Sequence, residues 1–342
     1  MCIRLSLNPR TGTMLLKTSP DLTPMKLLGA LSMALGVVLP WMAGLVAGQA
    51  THGAIASFGA YLMMVSFPRL PEAGRAKVLL SAAFVISLFA MVGGRVELGS
   101  GPFFACALAA ALAQGAGELR GGYLRLPVAL AALAFFLSVD QVPAGGDVIY
   151  GLTFLAGTLW ALLFVLFFIP VAKKAVDVER LDLLKNAAQR RFLAGIASIS
   201  LLGSIAACFS PGSHPCWLAA AGLRVTKPTR RETLYRMKAR GLGTLLGAAA
   251  GGLMLGFLAP APWLHALLVG ALVFVMLVIG AKRYGIWSFC LTAVALTFNF
   301  SPEAGALAIA ANRVLLTIAG IGVACLMLPL LPPSPDADRQ GG

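Results

Sequence analysis

Runs of apolar residues follow one another along the whole chain, separated by short polar breaks. They fall at residues 26–48, 50–67, 77–94, 99–116, 123–139, 149–172, 192–209, 215–224, 241–258, 262–281, 284–300 and 304–331. A helix needs about 20 apolar residues to span a bilayer, and in hydrocarbon its backbone must satisfy its own hydrogen bonds. The pattern predicts an all-α integral membrane protein of about twelve transmembrane helices, several of them short. Polar segments divide the chain into an N-terminal tail (1–25), a first six-helix membrane repeat (26–172), a linker (173–191), a second six-helix repeat (192–331) and a C-terminal tail (332–342).

Composition agrees with this reading. Of the 342 residues, 59% are hydrophobic and 12% charged, too little polar surface for a water-soluble globule. The net charge of +14 would suggest nucleic acid in a soluble chain. Here the enrichment of cations in cytoplasmic loops accounts for it, and no nucleic-acid partner is expected. With a cytoplasmic N-terminus, every lysine and arginine falls on the cytoplasmic side except Arg95, in an outer loop, and Arg313, inside the last apolar run. One miscounted span would scatter the later cations over both sides, so the alternation predicts that both termini are cytoplasmic. The six cysteines are scattered and read as small buried hydrophobes. No cleavable signal is evident, and Met1 and Met14 both stand as candidate starts.

The two halves resemble each other in places. Leu27 to Ser32 (LLGALS) resembles Leu193 to Ser198 (LAGIAS), and THGAIASFGA from Thr51 resembles SHPCWLAAAG from Ser213. His52 and His214 thereby take matching positions. An even number of spans per half gives two copies in the same orientation, related by an axis along the membrane normal, with any pathway at their interface.

The stretch TRRETLYRMKARGLGTLLGAAAGGLMLG, from Thr229, begins basic and becomes glycine-rich and apolar. Thr229 followed by Glu232 fits a capping box, which starts a helix in the cytoplasm and carries it into lipid. Glu232, Arg236, Arg240, Thr244, Gly247 and Gly251 share one stripe of that helix. Two readings follow. One is a basic anchor ahead of a glycine seam against another helix. The other is a cationic cytoplasmic mouth leading into a narrow, glycine-lined path.

The segment from Arg236 to Gly252 resembles the R-x-x-G-T-x-x-G segment of the fusaric-acid-resistance family, which includes aromatic-acid exporters of bacterial inner membranes. The runs from Lys282 and from Asn312 resemble that family's following spans, and the likeness is clearest over residues 192–331. Larger exporters of the family carry a big cytoplasmic domain between their membrane halves, where this chain has only its linker. Plant malate channels are similar in the same segment. The resemblance implies a multi-pass protein of the bacterial inner membrane that moves organic anions.

Arg313 lies about a third of the way into the last run. A charge at bilayer depth costs about 2.5–3.5 kcal/mol on insertion scales, so it is expected to face protein or water and to mark a pathway, the alternative being snorkelling to the outer headgroups. His52 and His214 suit proton coupling or plain polar caps. The segment from Pro215 to Leu223 is short for a span and reads as a broken helix whose N-terminus could face an anion. Tyr284, Trp287 and Phe289 read as interfacial anchors. No phosphate-binding loop, nucleophile elbow or metal-ligand spacing occurs, so no enzyme activity, catalytic residue, cofactor or metal site is expected.

The candidate pathway residues are therefore Arg236, Arg240, Thr244, Gly247, Gly251, Arg313, His52 and His214. The expected function is export of small organic anions, aromatic or other weak carboxylic acids. A passive organic-anion channel and a non-transporting membrane scaffold or accessory subunit are the alternatives. The lipid bilayer is an expected partner, and a periplasmic adaptor protein and a homo-oligomer remain open.

Overall fold

In a computed structural model the described residues are 5–7, 14–16, 23–66, 74–142, 146–168, 180–183, 186–258, 261–280, 283–298 and 305–332. Most of the two tails and about half of the linker 173–191 lie outside them, as do Arg69, Pro71 and Lys282. Twelve helices follow in order: α1 (Pro24–Val46), α2 (Ala50–Ser66), α3 (Arg75–Arg95), α4 (Gly101–Arg120), α5 (Arg125–Ser138), α6 (Asp147–Phe168), α7 (Ala187–Cys208), α8 (Trp217–Val225), α9 (Arg230–Leu258), α10 (Pro262–Ile279), α11 (Tyr284–Phe298) and α12 (Ala306–Leu326). Each corresponds to one apolar run. Ahead of them, two three-residue strands, Leu5–Leu7 and Met14–Leu16, pair antiparallel, a small departure from an all-α chain.

Helix ends follow local chemistry. Ser100 caps α4 by accepting from the Phe103 amide at 3.2 Å, and Asn186 caps α7 by accepting from Gln189 at 3.1 Å. The Thr229 hydroxyl accepts from the Glu232 amide at 3.4 Å, one half of the expected capping box. The Glu232 carboxylate turns instead to Arg236 and Arg125.

Length separates two classes of helix. Among the described residues seven are long and apolar enough to cross a membrane: α1, α3, α4, α6, α7, α10 and α12. The 29-residue α9 rises about 43 Å, ample for the crossing even with its basic first turns outside the oil. The rest are shorter: α2 has 17 residues, α5 14, α11 15 and α8 only 9. At 1.5 Å per residue α8 covers about 14 Å, so the expectation of twelve crossings holds for the number of helices but not for each helix as a full span. The short helices are also the buried ones. All of α8 but Arg224 is buried, as is most of α5 and α11. Long helices turn leucine and phenylalanine outward while the short helices form the inner core.

Packing partners recur at an interval of six helices. In the first half α2 packs on α1 and α6, and α3 on α5 and α6; in the second α8 packs on α7 and α12, and α9 on α11 and α12. Between the halves, α1 meets α10 and α4 meets α7. The register recurs too. A Cβ at Gly157 of α6 would collide with the Ala56 carbonyl of α2, and one at Gly320 of α12 with the Leu218 carbonyl of α8; Ala56 and Leu218 each follow His52 and His214 by four residues. Ser57 donates to the Val37 carbonyl at 2.6 Å, while Ala219 sits where a Cβ on Gly203 would come within 2.9 Å. Arginines at the starts of two helices close two others: Arg75 of α3 donates to the Val165 carbonyl of α6 at 2.7 Å, and Arg230 of α9 to the Leu331 carbonyl just beyond α12 at 2.8 Å. Both answer carbonyls at or beyond a helix end that lack a partner within the helix.

Gly320→Ala should lower the thermal unfolding midpoint of detergent-purified protein, through overpacking worth about 1–3 kcal/mol. Gly29→Ala, where nothing lies within 4 Å of the added carbon, should leave it unchanged or raise it.

Candidate functional site

The basic turns of α9 run from the surface into the core. Arg236 is half-buried, pairs with Glu232 at 3.1 Å and lies over the Tyr284 ring at 4.6 Å. One helical turn on, Arg240 is 2% exposed. Arg313 of α12 is 3% exposed, with its guanidinium 4.2 Å from the Trp217 ring centroid. Asn312, its chain neighbour, donates to the Ser213 carbonyl at 2.6 Å and ties the loop ahead of α8 to α12. Arg224, in the last turn of α8, completes a trio: Arg224, Arg240 and Arg313 line one small cavity with Phe58 and Tyr61 of α2 and leucines of α5. The cavity therefore lies between the two halves.

Hydrogen bonding sets this trio apart. Nε and Nη1 of Arg240, Nε and Nη1 of Arg313, Nε of Arg224 and the hydroxyl of Tyr61 are buried without a hydrogen-bond partner among the described residues. Each buried donor left unsatisfied costs about 1–3 kcal/mol, more when charged. The stack of Arg313 on Trp217 returns about 2 kcal/mol at best, too little for three cations. No carboxylate lines the cavity. The polar lining is three guanidinium groups and one hydroxyl, positive charge with no carboxylate, which is the chemistry of an anion site.

The nearby carboxylates are engaged elsewhere. Glu118, buried in the last turn of α4, pairs with Lys227 and, through its other oxygen, with Arg125 at 2.7 Å. Arg125 reaches Glu232 at 3.5 Å, and Glu232 reaches Arg236. This chain of charges stitches α4 and α5 of the first half to the start of α9.

The structure sorts the expected pathway residues. Arg240 and Arg313 come together at the cavity, and Arg236 stands one turn outside it. Thr244 is buried and accepts from Thr292 of α11 at 3.3 Å. The glycines do not line a path. A Cβ at Gly243 would come 2.6 Å from the Gly285 carbonyl, at Gly247 2.5 Å from the Phe289 carbonyl and at Gly251 3.2 Å from the Ala293 Cα. They let α11 lie against α9, so the glycine-lined path is corrected to a helix seam. His52 is exposed, with Nδ1 3.1 Å from the Gln49 side chain, while His214 is buried and stacked on Trp217 at 4.6 Å. Shared register thus gives the histidines unlike surroundings. Tyr284 and Trp287 are buried, not interfacial anchors, because α11 is an inner helix.

Arg224 and Tyr61 were not singled out by sequence. Arg224 is the one charged residue of WLAAAGLRV, but a cation near a span end looks the same whether it faces the cytoplasm or turns inward. Tyr61 offers the signal of a hydroxyl in the middle of an apolar helix. Among the described residues no three His, Cys, Asp or Glu side chains gather as metal ligands.

Residues 197–327 match the family model described as fusaric acid resistance protein-like, so the resemblance read from the sequence holds over that part of the second membrane half. Comparison with curated proteins and with solved structures gives no match. The matched segment includes Arg224, Arg240 and Arg313, whereas Tyr61 and Glu118 come from outside it.

Two outcomes test the surroundings of the site. Glu118→Gln leaves Lys227 buried without its carboxylate and should cost about 3–5 kcal/mol of stability, and Lys227→Met in the same chain should restore part of it in thermal unfolding. Burial, reinforced by Arg313, lowers the pKa of His214, in the loop ahead of α8, from 6.5 to about 4. The unfolded chain then binds more protons between those values, so stability should fall as pH drops from 6.5 towards 4. His214→Gln should flatten that limb of the stability–pH curve.

Proposed function

We propose that this protein exports small organic anions, aromatic or other weak carboxylic acids, from the cytoplasm across the bacterial inner membrane. One observation carries the reading: buried Arg240 and Arg313 and half-buried Arg224 converge between the two halves, with unpartnered donors and no carboxylate among them. The family match of the second half supports membrane transport or efflux of some kind. In this proposal the chain is two parallel six-helix repeats with both termini cytoplasmic, and the recurrence of partners and register at six helices supports that organisation.

The basic start of α9 forms the cytoplasmic mouth. Its cations raise the local concentration of anions and steer them inward. Arg236 passes the carboxylate to Arg240, about 6 Å further along the helix. Arg240, Arg224 and Arg313 then bind it away from water, where a charged hydrogen bond is stronger than at the surface. The chain of ion pairs from Glu118 to Arg236 closes the mouth, and an incoming carboxylate competes for the same cations. The cavity holds only about 20 Å³, too narrow for an open conduit, and this supports a carrier that widens around its cargo over an open channel.

Purified protein in liposomes should take up radiolabelled benzoate above the rate of protein-free vesicles. Loss of one charged contact is worth tenfold or more, so Arg240→Gln and Arg313→Gln should each reduce the rate by about that factor, while exposed Lys238→Gln retains it. Steady anion conductance under voltage clamp would favour the channel reading, and no flux from a well-folded wild type would leave the scaffold reading.

A further inference from the structure

The cavity as it stands suits an occupant smaller than an aromatic acid. Its space is about 20 Å³, room for about one water-sized species and far too little for a benzoate ring. Yet Arg224, Arg240 and Arg313 bring three guanidinium groups to this one small space, with no carboxylate in its lining. A water molecule in that space would accept hydrogen bonds but bring no charge. The neighbouring carboxylates are held by Lys227, Arg125 and Arg236.

We propose that this small cavity binds a single halide-sized inorganic anion, chloride under cellular conditions, between Arg224, Arg240, Arg313 and the Tyr61 hydroxyl. Such an ion fits the volume, supplies the missing negative charge and accepts hydrogen bonds from any direction. Donors without a partner surround the site: two nitrogens each on Arg240 and Arg313, one on Arg224, and the Tyr61 oxygen. The remaining wall is apolar, with Phe58, Leu62, Leu133 and Leu291 among its residues, so the ion must leave most of its hydration shell outside. That wall selects bromide and chloride over the strongly hydrated fluoride. The proposal rests on the anion-site reading above and adds to it that halide and organic anion exclude each other, so cargo displaces a resident counter-ion.

The test uses full-length purified protein exchanged into sodium gluconate and titrated with sodium bromide, chloride or fluoride at constant ionic strength, the thermal unfolding midpoint being recorded. The midpoint should rise saturably with bromide and chloride and not with fluoride. Arg313→Gln should abolish the rise. Tyr61→Phe, which removes a donor and keeps the ring, should shift the half-saturating halide concentration upward about tenfold. Benzoate should shift it upward as well. A midpoint indifferent to halide, with benzoate still stabilising and transported, would overturn the halide site and leave the transport reading standing. Indifference to both halide and benzoate would overturn the two together.

Discussion

A guanidinium group buried in a protein surrounded by oil must have its charge answered, and the cost of leaving it unanswered organises this molecule. Desolvating an ion costs several kcal/mol even after relaxation, and insertion scales put a cation at the bilayer centre at about 2.5–3.5 kcal/mol. The fold meets this by layering. Long apolar helices present leucine and phenylalanine to lipid, and the short helices α2, α5, α8 and α11 lie inside them. A cation such as Arg224, on a helix that scarcely reaches half the membrane thickness, is thereby shielded from hydrocarbon and faces protein.

The buried and half-buried cations are answered in three ways. Arg75, like the exposed Arg230, donates to a carbonyl at or beyond a helix C-terminal end, a group that needs a donor in any case. Lys227, Arg125 and Arg236 share the carboxylates of Glu118 and Glu232. Arg224, Arg240 and Arg313 have neither, and they are the ones that meet at a cavity between the halves. Stability alone gives no reason to keep them there, since apolar residues of similar size would fill the space without the electrostatic cost. Their retention makes sense as a site whose remaining partner arrives from solution.

Much of the fold was legible because membrane insertion imposes a one-dimensional code. Each apolar run became a helix, most of them within a few residues of the expected bounds; α9 is the exception, beginning at Arg230, well ahead of its run at 241 and where the capping box placed the start of a helix. Arg313 was legible for the same reason, a lone charge in an apolar run. What a helix face touches was not legible. The stripe through Arg240, Gly247 and Gly251 was read correctly as a stripe, but its lower part serves the contact with α11 while Arg240 above it turns to the cavity. Periodicity gives the angle of a residue around its own helix and says nothing of the neighbour on that side. Arg224 and Tyr61 escaped because their meaning depends on partners far away in the chain, and Tyr284 and Trp287 were misjudged because α11 turned out to be an inner helix.

The central claim is that the space between the halves is an anion site built by Arg224, Arg240 and Arg313. An experimental structure with 4-iodobenzoate bound tests it directly, since anomalous scattering locates the iodine and density locates the carboxylate. The account predicts a widened cavity with the carboxylate held by Arg240 and Arg313 beside Tyr61. Iodine found only at the lipid-facing surface, with the three guanidinium groups paired to protein carboxylates or turned to headgroups, would contradict it.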